Sequence, residues 1–96
     1  MTLQHQQETA ERAEYDASER RITELYTKAA DQLGSDRAPV RLAGLYALAR
    51  LGETAGSQRQ TIVNVVCAYL RMPFAEPADA EARQEQQVRH AALEIL

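Results

Sequence analysis

The groups in this 96-residue chain that could do chemistry are two histidines, one cysteine, fourteen acids and eleven Lys/Arg residues. His5 and His90 stand at opposite ends and Cys67 stands alone, so no spacing supports shared coordination of a metal. Cys67 falls within an apolar run and reads as a small buried hydrophobe. Nothing in the chain matches G-x-x-x-x-G-K, G-x-G-x-x-G or G-x-S-x-G, which removes phosphate cradles and nucleophile elbows. Glu8, Glu11 and Glu14 are spaced by threes, but carboxylates on a solvated face have nothing to move their pKa towards acid–base work. No catalytic, cofactor-binding or metal-ligating residue is expected, and no cofactor or small-molecule substrate.

Arg37, Arg41, Arg50, Arg59 and Arg71 raise nucleic-acid binding as a question. A phosphate-binding stripe needs its cations on one surface. Arg41 and Arg50 lie nine residues apart, about half a turn out of phase on a helix of 3.6 residues per turn. The chain is also net negative, at −3, and Phe74 with four tyrosines offers little stacking. A structural role is the simpler expectation. Arg41, five residues after Asp36, is placed to pair with that acid or with one on the preceding helix, and Arg89 to repeat the role. Tyr26, Tyr46 and Tyr69 read as core aromatics with the hydroxyl at the edge of the packing.

Charge is unevenly spread, at −4 over residues 1–36, +4 over 37–72 and −3 over 73–96. Acidic flanks around a basic middle point to internal pairing before they point to an external polyanion. A single cysteine excludes an intrachain disulfide, so a reducing, cytoplasmic setting is expected. The start, MTLQHQQETAERAEY, lacks the basic end and apolar stretch of a secretory signal. The longest apolar runs fall far short of the ~18 residues of a membrane span, so no span is expected.

The elements that must position these groups read as helices. From Gln6 to Leu33 there is neither Pro nor Gly, and Ile22, Leu25, Tyr26, Ala29, Ala30 and Leu33 step by three and four. Glu8–Arg12, Asp16–Arg20 and Glu24–Lys28 are acid-before-base pairs four apart. Residues 1–18 form either the thinly striped front of one long helix or a frayed tail, with Asp16 and Glu19 a capping box in the second case. Ser35 or Asp36 is expected to cap a second helix with Pro39 in its first turn. Between Ala38 and Leu51 the only charges are Arg41 and Arg50, so this helix should be covered on several sides. Ser57 and Gln60 form an S-x-x-Q capping box ahead of a third helix (Ile62 to Leu70), which Pro73 ends. Residues 19–72 are thus a helical core, 73–80 a linker, and 81–96 the start of a further helical repeat.

One repeat is visible by eye. Val40–Leu48 (VRLAGLYAL) recurs forty-eight positions later as Val88–Leu96 (VRHAALEIL). That period suits stacked helix hairpins of the HEAT and armadillo kind, in which each hairpin buries its apolar face on a neighbour. The expected fold is all-α, a HEAT-like array of about four helices with an incomplete last repeat.

The run RRITELYTKAADQLGSDRAPVRLAGLYALARL, then QRQTIVNVVCAYLRMPF, then QVRHAALEIL, resembles the helical segment of actinobacterial pentapeptide-repeat proteins, over residues 19 to 96. In such proteins a membrane-spanning stretch often precedes the segment and β-helical pentapeptide repeats follow it. This chain has no A-[DN]-L-x-x run. The resemblance implies an interaction or assembly module of unknown biochemical role and transfers no site residues. A non-enzymatic role follows: docking onto a repeat structure, or self-association, through Ile22, Leu25, Val88, Ala92, Leu93 and Leu96. The alternatives are a nucleic-acid binder using the central arginines and a membrane-proximal regulatory domain.

Overall fold

The computed structural model describes residues 3–73 and 80–96, and every regular element in them is helical. Four α-helices follow one another: α1 (Leu3–Leu33), α2 (Ala38–Thr54), α3 (Arg59–Arg71) and α4 (Ala80–Ile95), with a single 3-10 turn (Gly56–Gln58) leading into α3. The protein is all-α. Most of the expected linker, residues 74–79, lies outside the described residues.

The helix starts differ from those expected. Arg37, with an extended backbone, is the N-cap of α2, and Ser35 Oγ accepts the Arg37 N–H at 3.1 Å without reaching into the helix. Asp36 is exposed and makes no cap. The Ser57–Gln60 box does not close either. Ser57 lies inside the 3-10 turn, whose Gln58 N–H is already satisfied by Ala55 O at 2.9 Å, and Gln60 Nε2 donates to Asn64 Oδ1. In both places tight-turn hydrogen bonds replace the side-chain cap. Asp16 and Glu19 start nothing, because α1 runs unbroken through them.

The core lies between the second half of α1 and the other three helices. Ala29 and Leu33 of α1, Leu45, Leu48 and Leu51 of α2, Ile62, Val66 and Tyr69 of α3, and Val88, Ala91 and Ala92 of α4 form one buried cluster. Gly44 sets the closest crossing. A Cβ there would stand 2.6 Å from Leu33 N, 2.7 Å from Ala29 O and 2.8 Å from Gln32 Cβ. Two of those atoms are backbone, so α1 can lie this close to α2 only because position 44 has no side chain.

The central helix is less enclosed than its composition implies. Pro39, Ala43, Tyr46, Ala47 and Arg50 of α2 share an arc open to water. Tyr46, expected in the core, is on that arc and more than half exposed, whereas Tyr69 is buried and Tyr26 partly so. Arg50 apart, the arc is made of Pro39, two alanines and one aromatic, and it is exposed among the described residues.

Beyond the core, α1 continues as a bare arm. Residues 3–18 are exposed at every position, Leu3 and Tyr15 among them. The helix is 31 residues, about 46 Å at 1.5 Å per residue. The arm draws the molecule out to 70 × 20 × 16 Å with a radius of gyration of 18.0 Å. A compact domain of this length would measure roughly 13 Å. None of the three acid–base pairs expected along α1 is closed; Thr9 and Thr23 instead bond back to His5 O and Glu19 O at 3.0 Å.

The two glycines of α2 should respond in opposite senses. Gly44→Ala forces α1 off its seat and is expected to lower stability by roughly 1–3 kcal/mol, in spite of better helix propensity. Gly52→Ala meets only Ile62 Cδ1 at 3.6 Å and should stabilise by roughly 0.5–1 kcal/mol. Urea denaturation of the two variants measures both; a stabilised Gly44→Ala would contradict the close crossing.

Candidate interaction surface

Ionisable groups converge at one place, the junction of α2, α3 and α4. The Glu85 carboxylate, one turn into α4, is its centre. Arg41 Nε on α2 donates to Glu85 Oε1 at 2.9 Å, and Arg89 Nε, one turn further along α4, donates to Oε2 at 2.9 Å. Tyr69 Oη of α3 stands 2.6 Å from both oxygens and donates its proton between them. The Arg89 guanidinium also lies 5.3 Å from the centre of the Tyr69 ring, over its face. All three charged side chains are largely shielded from water, so solvent and salt screen their attraction less than that of surface ion pairs, at a cost in desolvation.

Two guanidiniums on one carboxylate leave a surplus positive charge, and helix ends answer it. Arg41 Nη1 donates to Ser35 O, just beyond the C-terminus of α1, at 2.9 Å. Arg89 Nη1 donates to Leu70 O, in the last turn of α3, at 3.2 Å. Carbonyls at a helix C-terminus lack intrahelical partners and carry the negative end of the helix dipole. The two arginines, which hold the same slot of the repeated Val-Arg motif, thus tie down the end of the preceding helix in the same way.

This corrects the expected pairing. Arg41 goes neither to Asp36 nor to an acid of α1, and Arg89 shares the same carboxylate. Sequence spacing favours near acids, whereas Glu85 is forty-four residues from Arg41 and meets it only because α4 packs on α2. The signal that pointed to Glu85 was its place four residues before Arg89.

Tyr69 feels this surrounding. Burial of its phenol, then its hydrogen bond to the Glu85 carboxylate and that carboxylate's charge, push its pKa from 10.0 up to about 12, with Arg41 opposing. Ionised Tyr69 would face Glu85 at 2.6 Å. A folded-state pKa above the unfolded one means full stabilisation below pH 10, lost as pH rises towards about 12. Urea midpoints from pH 9 to 12 should therefore fall more steeply for the natural chain than for Tyr69→Phe. Glu85→Gln leaves two shielded guanidiniums without their anion and should cost roughly 2–4 kcal/mol near neutral pH, read by the same titration. A neutral Glu85→Gln would remove the network from any account of how α4 is held.

The expected contact residues separate into two groups. Val88 and Ala92 are 2% and 0% exposed and belong to the core. They are a correction: the stripe 88, 91, 92 is the side by which α4 docks on α2 and α3. Leu93 is one residue, about 100°, round the helix from Ala92 and points to water, as does Leu96. Leu25 of α1 is half exposed and Ile22 partly buried against the core. Beside Leu96 runs an open groove of about 470 Å3, floored by Gly52, Ile62, Val63 and Val66 and edged by Glu53, Arg59 and Glu94. A second cavity of about 460 Å3 adjoins the Glu85 network, bounded by Leu33, Met72, Glu81 and the two arginines.

The remaining arginines do not gather. Arg59 Nε donates to Gly52 O at 3.3 Å, Arg50 is on the open arc of α2, and Arg37 and Arg71 mark the start of α2 and the end of α3. Cys67 is half buried. Among the described residues no cluster of His, Cys, Asp and Glu could hold a metal ion, and no helix is long and apolar enough to cross a membrane. No protein-family model, no curated protein and no solved structure matches the chain.

Proposed function

We propose that the protein is a non-enzymatic assembly module of HEAT-like design, acting through contact with protein and using the Leu93–Leu96 side of α4. One observation carries this reading: Leu93 and Leu96, on the helix that the Glu85 network fastens to α2 and α3, stand in water, with Leu96 at the edge of an open groove. Exposed apolar surface of this kind marks docking sites on soluble chains. The bare α1 arm adds to it, since sixteen or so residues of lone helix are only marginally stable in water and gain from a neighbour. The resemblance of residues 19–96 to the helical segment of pentapeptide-repeat proteins supports the same role. Chemistry at Glu85 is disfavoured because its partners already use both of its oxygens.

Light scattering on a size-exclusion peak tests the proposal. The natural chain is expected to exceed its monomer mass of 10.7 kDa, by an amount that grows with loading, and Leu93→Asp to return it to that mass. A 10.7 kDa peak at every loading would sink self-association.

A further inference from the structure

We infer that the occupant of the Leu93 face is the open arc of α2 on a second copy, joined head to tail. This rests on the assembly reading above and names its partner. The two helices that share the Val-Arg motif, α2 and α4, also share a burial pattern, shifted by one layer. Leu45 and Leu48 of α2 are 0% exposed; their counterparts forty-eight positions on, Leu93 and Leu96, are 62% and 52% exposed. On the other side of each helix the relation reverses. Ala91 and Ile95 of α4 are buried or partly buried, and their counterparts Ala43 and Ala47 of α2 lie open.

Within the molecule these two kinds of face already meet. The side of α2 that bears Ala38, Leu42 and Leu45 is the side on which α4 packs through Val88 and Ala91: Ala38 and Leu42 line one small cavity with Val88, and Arg41 reaches Glu85 beside them. The α4 face bearing Gln86, His90 and Leu93 has the register of that α2 side. The α2 arc bearing Val40, Ala43 and Ala47 has the register of the α4 side. A second copy that sets its Ala43–Ala47 arc on Leu93 therefore repeats, between molecules, a contact the fold makes within one. The interface continues the existing α2–α4 layer by one step.

Residue chemistry agrees. Ala43 and Ala47 are small, as Ala91 is in the internal contact, so a helix can approach closely. The α2 arc carries Arg50, and the α4 side carries Glu94, whose Oε1 stands 3.0 Å from His90 Nε2. The α1 side supplies no comparable apolar end, since Arg20, Glu24, Lys28 and Asp31 are all exposed along it. A head-to-tail contact uses two different patches, so it propagates unless the rotation closes a ring.

Complementation of two end-blocked variants tests this. Leu93→Asp blocks one patch and Ala47→Glu the other, and each alone is expected to run as a 10.7 kDa monomer. Mixed in equal amounts they should form a species of twice that mass and no larger, through the one intact pair of patches, while the natural chain grows with concentration. Indifference of the natural assembly to Ala47→Glu, with loss on Leu93→Asp, would overturn the head-to-tail arrangement and leave the Leu93 docking face standing, as for two α4 helices meeting about a two-fold axis. A natural chain that stays monomeric would sink both. Circular dichroism establishes that each variant is folded, and Leu96→Asp and Ala43→Glu replace either one that is not.

Discussion

The Glu85 carboxylate gathers a guanidinium from α2, another from its own helix and a phenol from α3, and that gathering decides which side of α4 meets water. The helix has two apolar sides, Val88–Ala91–Ala92 and Leu93–Leu96, and hydrophobicity alone does not choose between them. Ion pairs are directional where apolar contact is not. With Glu85 held by Arg41 of α2 and Tyr69 of α3, and Arg89 Nη1 on Leu70 O, rotation of α4 about its axis would break charge-assisted bonds in a shielded place, where a lone charge is strongly unfavourable. Ala92 is thereby turned inward, and Leu93, the next residue, outward.

The same network joins the two halves of the core. Arg41 also holds the carbonyl beyond the end of α1, and Arg89 one in the last turn of α3. Every helix therefore has a polar tether to the junction, and the apolar cluster packs around it. At the other end of α2 the tether is lighter, the hydrogen bond from Arg59 Nε of α3 to Gly52 O at 3.3 Å. There the crossing at Gly44 and the contact of Gly52 with Ile62 govern how close the helices lie. Polar geometry fixes orientation at one end of the molecule, and steric fit fixes spacing at the other.

Much of the fold was legible because helix signals are local. The absence of Pro and Gly from Gln6 to Leu33, the Pro39 start and the Pro73 stop are written within a few residues of where they act. What could not be read was non-local. Arg41 has acids nearer in sequence than Glu85, and only the packing of α4 ranks them. Tyr46 sits in a run as apolar as any core helix, yet among the described residues α1, α3 and α4 pack on other sides of α2 and leave its arc exposed. Val88, Ala92, Leu93 and Leu96 lie within one nine-residue stretch whose sequence does not separate them. The division between them depends on a rotation that Glu85 sets.

A lone exposed leucine on a small domain would mean little, since folded proteins leave much apolar surface in water. The case of Leu93 differs because the chain contains its own control. The same motif, in the same kind of helix, buries Leu45 and Leu48 completely in the first copy and leaves Leu93 and Leu96 exposed in the second. Conversely, the alanines that face inward in the second copy face outward in the first. Two surfaces that are each half of a contact already present in the fold are left open at opposite sides of the α2–α4 layer. The two faces keep the helix register of that contact while their side chains differ from it: Gln86 and His90 stand where Ala38 and Leu42 do, and Ala47 where Ile95 does.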